Sequence, residues 1–375
     1  MARERPAESN GGMLLLRTLR FRSAEPPEVL RRAWATAPTG SLQMLIHLER
    51  CHTWLLRRLH ELAAGEQIGP FVTWLSSQAR AGAARDLLIE ARALELAHWL
   101  SRRGVPFVFL KGVARRLMAE SYPGITLRAT TDVDVLVREM DAPGMWEALR
   151  AEGYHTATAP EKTPTGHYHL VPLAHRDGVA VEVHISTGPG LAPAEAWLRA
   201  TRAGTQVERE GLHLTLPSAT EMLWQTVTHA ETDGSGGYDL RHFQDAAVFL
   251  AMGTLDWPVL HGRFGTPEIR HAARMKGWLA GAAWLAGDAE VPEGLRAGRW
   301  AFDLPRAMRW RYLACSVAVG RPRLLEKLVD EATRAEARLP RAGTRSGTPL
   351  LPGTRRRIAT TLARGGYLAW RAVAG

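Results

Sequence analysis

The chain holds only two cysteines in 375 residues, Cys51 and Cys315, and they lie far apart. That excludes a disulfide framework and any cysteine-based metal finger, and points to a reducing, cytoplasmic setting. Long apolar runs are missing as well. Met13–Leu16 is far shorter than a signal h-region or the roughly 20 residues of a membrane span, so neither secretion nor insertion is expected. Lysine is scarce, occurring only at Lys111, Lys162, Lys276 and Lys327. No internal repeat is detectable.

What is present is ordinary globular composition, with 46% hydrophobic and 23% charged residues. The length allows two or three domains, each burying its own core. The net charge of +10, from 48 Lys and Arg against 38 Asp and Glu, suits nucleotides, nucleic acid or an anionic surface as partners. An arginine-, alanine- and tryptophan-rich chain also fits GC-rich coding, so charge alone does not select a partner.

Apolar residues recur at helical spacing in Ser41–Leu62 (Leu42, Leu45, Ile46, Leu48, Leu55, Leu59) and in Ala81–Ser101 (Leu87, Leu88, Leu94, Leu96, Leu100). Residues 1–103 therefore read as a helical N-terminal domain. After Gly104 the pattern changes to the strand-like Val105–Leu110, the turn Lys111-Gly112, and a helix from Val113 that stops near Pro123. A second strand, Thr131–Val137, precedes a helix near Pro143–Glu152. Two further runs, His167–Leu173 and Val179–Ile185, flank His175-Arg176-Asp177-Gly178, which reads as a hairpin turn. Residues 104–216 thus form a small α/β core of about four strands.

Helix returns at Ser218, where Ser218-Ala219-Thr220-Glu221 has capping-box spacing. The Gly-rich Asp233–Gly237 then leads to a helix over Leu240–Met252. Residues 217–338 read as a helical C-terminal domain. Residues 339–375 read as a Pro/Gly linker and a basic tail whose arginines suit a solvated helix face, an anionic membrane or RNA. The fold class expected is α+β, a small mixed sheet with helices flanked by helical regions.

The chemistry concentrates in Thr131-Asp132-Val133-Asp134-Val135-Leu136-Val137. Period-two geometry puts both aspartates on one face, about 7 Å apart, while the valines face the other way. Two acids on one face of an apolar strand repel each other and resist burial unless a cation lies between them. A divalent ion, Mg²⁺ or Mn²⁺, satisfies that demand and is suited to carboxylate oxygens and substrate phosphates. Glu182, the only acid within Val179–Ile185, supplies a third carboxylate, and His184 shares its face. A strand that runs through a glycine turn into a helix is a phosphate-receiving arrangement, and Lys111 adds a charge there.

These pieces occur in order along the chain: Phe109-Leu110-Lys111-Gly112, Arg128 before the Asp132/Asp134 strand, Gly153-Tyr154, and Val181-Glu182-Val183-His184. His229-Ala230, Leu240-Arg241-His242-Phe243-Gln244-Asp245 and Leu255-Asp256-Trp257 follow. From roughly Leu42 to Leu285 the chain resembles the uncharacterised nucleotidyltransferase family of the DNA polymerase β-type nucleotidyltransferase superfamily. The resemblance implies that Gly112 grips a triphosphate and that Asp132, Asp134 and Glu182 hold metal. It also implies transfer of NMP from an NTP to an acceptor hydroxyl or phosphate, with release of pyrophosphate.

Gly112 is followed by Val113 where the broader superfamily has serine, and the gap to Asp132 is long. Lys111, Arg128 and Thr131 are the residues expected to contact phosphate in its place. His184, His229, Arg241 and Asp245 are candidates for the substrate side, with an Arg241–Asp245 ion pair as the structural alternative for the last two. His167 and His169 share a strand face, but two histidines make weak evidence for zinc. The acceptor could be a small molecule, a peptide natural product, a protein or RNA. Alternatives are a toxin-like nucleotidyltransferase acting on tRNA, and a catalytically degenerate nucleotide-binding or scaffold protein.

Overall fold

The computed structural model describes residues 11–22, 25–62, 69–118, 129–156, 168–188, 190–232, 240–296 and 304–318. Five helices come first: α1 (Gly11–Leu19), α2 (Pro27–Thr36), α3 (Thr39–Glu49), α4 (His52–Glu61) and α5 (Gly69–Arg102). Leu42, Leu45, Ile46, Leu55 and Leu59 are buried, as their helical spacing demands. Helix α5 is longer than its apolar pattern suggests, at 34 residues. Leu94, Leu96 and Leu100 are buried, whereas Leu87 and Leu88 face solvent. The buried stripe of its middle turns instead carries Asp86 and Ile89, and that exchange of a leucine for an acid serves the site described below.

A mixed five-stranded sheet follows, built from β1 (Phe107–Phe109), β2 (Asp132–Val137), β3 (His155–Thr156), β4 (Leu173–Ala174) and β5 (Ala180–His184). Helix α6 (Lys111–Leu117) lies between β1 and β2, and α7 (Ala142–Ala151) between β2 and β3. The strand order is β1-β2-β5-β4-β3, with β2 and β5 parallel at the centre and the other neighbours antiparallel. Val133, Val135, Val137, Val181 and Val183 are all fully buried. The apolar face of the central pair is thus fixed in the core, which turns the acids at alternate positions to the other side.

The expected hairpin is present. His175 N–H donates to Val179 O (2.9 Å), Gly178 N–H donates to His175 O (2.8 Å), and Gly178 takes φ +78°. The strand expected over His167–Leu173 is only partly realised: β4 covers Leu173–Ala174, His169 forms an isolated bridge to His184, and His167 lies outside the described residues. Strand β3 brings the sheet to five, one more than expected; two residues carry too little alternation to be seen in sequence.

The segment from Pro193 to Leu216 holds a helix and hairpin that the sequence pattern did not reveal: α8 (Pro193–Arg202), β6 (Thr205–Arg209) and β7 (Leu212–Leu216). The hairpin closes through Glu210 and Gly211, both at positive φ (48° and 76°), the backbone signs of a type I′ turn. Then come α9 (Ala219–Thr232), α10 (Leu240–Met252), α11 (Trp257–Arg263), α12 (Ala272–Leu285) and α13 (Leu304–Ala318). Half of the anticipated capping box forms. Ser218 Oγ accepts the Glu221 N–H (3.2 Å), while the Glu221 carboxylate pairs with Arg263 (2.6 Å).

One apolar cluster runs from Leu14 in α1 through the sheet to Cys315 in α13. Helix α13 packs back on α1 and α3, where Arg311 meets the buried Glu49 at 2.7 Å. Among the described residues no helix is long and apolar enough to cross a membrane.

Helices α10 and α12 are joined by Phe243 and Trp278, both fully buried, with ring centroids 4.9 Å apart. Trp278→Ala should lower the unfolding free energy by about 3–5 kcal/mol through lost burial and the cavity left behind. Urea denaturation checks this; a loss below about 1 kcal/mol would mean that the two helices do not depend on that contact.

Candidate active site

Parallel pairing sets Asp134 directly across from Glu182, and Leu136 across from His184. The ligand atoms of Asp134, Glu182 and His184 all lie within 4.8 Å of one another. His184 Nε2 is 2.8 Å from Asp134 Oδ1 and 3.4 Å from Glu182 Oε2. Its Nδ1 faces Ser186 O at 3.3 Å. Lys111 Nζ donates to Asp134 Oδ1 at 2.7 Å and stands 3.9 Å from Glu182 Oε2. Asp132, half-buried one step toward the strand start, accepts a hydrogen bond from Thr131 Oγ1 (3.1 Å). Three carboxylates therefore face one ammonium and one imidazole.

The charges respond as this geometry requires. Burial alone would raise Asp134, but the Lys111 ammonium and the His184 hydrogen bond hold its carboxyl well below the usual carboxylate range. Glu182 is likewise lowered, its burial outweighed by His184 and Lys111. His184 is raised: burial and the Lys111 charge oppose protonation, and the hydrogen bonds to Asp134 and Glu182 overcome them. Lys111 is raised because Asp134 and Glu182 outweigh its own burial. Asp132 goes the other way, pushed up to about 6 by burial and then by the neighbouring Asp134 charge.

Asp134 is only 1% exposed, and its Oδ2 is buried without a hydrogen-bond partner. An ionised interior oxygen that lacks a donor is costly, and a cation is the partner that suits it. The donor set fits a divalent ion. Carboxylate oxygens from Asp134 and Glu182, with Asp132 at the lip, suit Mg²⁺ or Mn²⁺.

Lys111 sits at the β1-to-α6 junction with φ +46°, a left-handed conformation that costs a non-glycine residue about 1 kcal/mol. Leu110 N–H donates to Asp134 O (3.0 Å), extending the β1–β2 ladder up to that kink. The next residue must be glycine: a Cβ on Gly112 would lie 2.6 Å from Thr130 Cγ2 and 3.0 Å from its Oγ1. Thr130 is itself clamped, its N–H donating to Asp86 Oδ1 of α5 (2.7 Å). Asp86 also meets Arg116 of α6 (3.2 Å), which pairs with Glu90 at 2.6 Å.

Residues from both halves of the chain line one cleft: Lys111, Gly112, Thr130, Thr131, Asp132 and Asp134 on the sheet side, and Gln225, His229, Arg241 and Asp245 on α9 and α10. His229 stacks on His242, with ring centroids 4.8 Å apart. Asp245 pairs with Arg115 of α6 at 2.6 Å, both side chains buried, an ion pair that docks α10 on the core. His184 is fully buried with its Nε2 on Asp134, and the Lys111 ammonium lies on the same carboxylate. Arg128 lies outside the described residues.

Sequence reasoning missed Asp86, Arg115, Arg116 and Thr130. Each is a polar residue whose partner is distant in the chain, and the one available signal was an acid interrupting the buried stripe of α5. Asp86→Ala should lower the unfolding free energy by about 3 kcal/mol, since it leaves Arg116 and the Thr130 N–H short of an acceptor. Chemical denaturation tests this, and a change under about 0.5 kcal/mol would remove Asp86 from the support of the site.

A family model described as uncharacterised nucleotidyltransferase matches residues 36–284, a span that contains every cleft residue named above. Among solved structures, an antigenic nucleotidyltransferase-like protein from Paracoccidioides brasiliensis is similar over 58% of this chain and 95% of that one, at 16% identity and a TM-score of 0.33. No curated protein matches the chain significantly. With the family model covering most of the chain, including the acid-bearing strands and the helices that close the cleft, this protein belongs to the family of uncharacterised nucleotidyltransferases.

Proposed function

We propose that the protein transfers a nucleoside monophosphate from an NTP to an acceptor hydroxyl or phosphate and releases pyrophosphate. The observation that carries this reading is the cross-strand pair Asp134–Glu182, with the orphaned Asp134 Oδ2 at the base of a cleft and Asp132 at its lip. Asp132, Asp134 and Glu182 are the residues that would hold Mg²⁺ or Mn²⁺. Such an ion, when bound, neutralises phosphate charge and makes an acceptor hydroxyl easier to deprotonate.

The chain's own groups supply positioning. Thr131 orients Asp132, and His184 holds Asp134 and Glu182 in register. Lys111 keeps the carboxylates ionised and lies within the cleft, where a phosphate entering beside Gly112 would find its charge. Arg128 and Thr131 complete the proposed phosphate contacts. Arg241, His229 and Asp245 line the cleft from α9 and α10, and we assign them to the acceptor side. A small molecule or peptide natural product is the acceptor class we favour, in a cytoplasmic setting.

A second reading, nucleotide binding without transfer, is favoured by one observation: Lys111 and His184 already neutralise Asp134 and Glu182 from within the chain. Pyrophosphate release separates the two. With each of the four NTPs, Mg²⁺ or Mn²⁺, and a cell extract as acceptor source, the native protein should release pyrophosphate with at least one NTP. The Asp132→Asn/Asp134→Asn protein should fall to background. Nucleotide binding with no release under any condition would favour the second reading, and release that survives in Glu182→Gln would remove Glu182 from the catalytic set.

A further inference from the structure

Like Asp134 Oδ2, Thr130 Oγ1 and Gln225 Oε1 are buried polar atoms of cleft residues without a hydrogen-bond partner. Gln225, on α9, is 6% exposed. Its amide orientation is set by its neighbour. The Gln225 Nε2 faces Glu221 Oε1 at 3.5 Å, and the other Glu221 oxygen is taken by Arg263 at 2.6 Å. A carboxylate only accepts, so the amide must turn its NH₂ toward Glu221 and leave its carbonyl oxygen as the unsatisfied group.

An interior acceptor with no donor is a standing demand for an N–H or O–H, and in a cleft residue a bound ligand can meet it. Met222, one turn away from Gln225 on α9, and Phe249 of α10 line the same cleft and are almost fully buried. Apolar side chains beside one oriented acceptor suit a flat ring that has a hydrogen-bond donor on its edge. A triphosphate held at the carboxylate end would leave its base to reach along the cleft.

We infer that Gln225 is a specificity-determining residue that accepts a hydrogen bond from the exocyclic amine of the donor nucleotide's base, with Met222 and Phe249 as the apolar walls. This rests on the reading above that the cleft takes a nucleoside triphosphate. Gln225 reads the base and takes no part in the transfer itself. Its acceptor oxygen favours an amine over a carbonyl or a hydrogen at the same position, because an acceptor opposite an acceptor stays unpaired.

The test is equilibrium binding of three nucleotide pairs to the full chain with Mg²⁺: ATP and purine riboside triphosphate, GTP and ITP, CTP and UTP. In each pair only the first member carries the exocyclic amine. The wild-type protein should bind the amine-bearing member of its preferred pair about tenfold more tightly. In Gln225→Met that difference should collapse to less than about twofold, and in Gln225→Asn, which keeps a shorter amide, to an intermediate value. Equal binding of both members in all three pairs by the wild type overturns the inference without any variant. So does a preference that survives in a folded Gln225→Met protein. Absence of binding by every nucleotide would overturn the functional reading and this inference together, whereas binding without amine dependence overturns this inference alone.

Discussion

An ionised carboxylate buried at the seam of two parallel strands is the constraint on which the rest of this structure depends. Asp134 has almost no exposure, yet Lys111 and His184 hold it charged, and one of its oxygens is still without a donor. Taking such a group out of water costs several kcal/mol unless paired charges and hydrogen bonds offset the loss. The parallel β2–β5 register brings Glu182 beside it, and the left-handed turn at Lys111 places the ammonium against it. The fully buried valines on the opposite face keep the strand from rotating its acids inward.

Around that carboxylate, three elements are tied by charge as well as by apolar contact. Helix α5 contributes Asp86 and Glu90, which fix Thr130 and Arg116 and so set the distance between the glycine turn and the start of β2. Helix α6 contributes Arg115, whose pair with Asp245 seats α10 across the cleft. Breaking either connection leaves a buried charge short of its partner, so the cleft geometry is coupled to global stability. The α9 wall carries its own relay from Arg263 through Glu221 to Gln225, which sets the polarity of the surface a ligand meets.

The central strands and the acid-bearing positions were legible in the sequence because burial on one face of a strand leaves a period-two signature. Asp132, Asp134 and Glu182 interrupt valine-rich runs, and the structure sets the first two on one strand and Glu182 across from Asp134. The hairpin at His175–Gly178 was legible for its turn residues. The β6–β7 hairpin was not, since Glu210-Gly211 is a less distinctive turn pair and the strands are largely half-buried. Lys111 and His184 could be set near the acids from sequence, but the Asp245–Arg115 pair could not be read at all. Residue types announce that a carboxylate needs a cation, but only the packing of α6 against α10 decides that Arg115 meets Asp245, and only the β2–β5 register sets His184 against Asp134.

If the unsatisfied Asp134 oxygen is a cation seat, metal affinity should depend on that residue and on the ammonium that competes for it. Titration of the 375-residue chain with Mn²⁺, with free ion followed by electron paramagnetic resonance, measures this without any knowledge of the acceptor. The account predicts saturable Mn²⁺ binding that weakens by about tenfold or more in Asp134→Asn and tightens in Lys111→Met. Equal Mn²⁺ affinity in the native and Asp134→Asn proteins would contradict it.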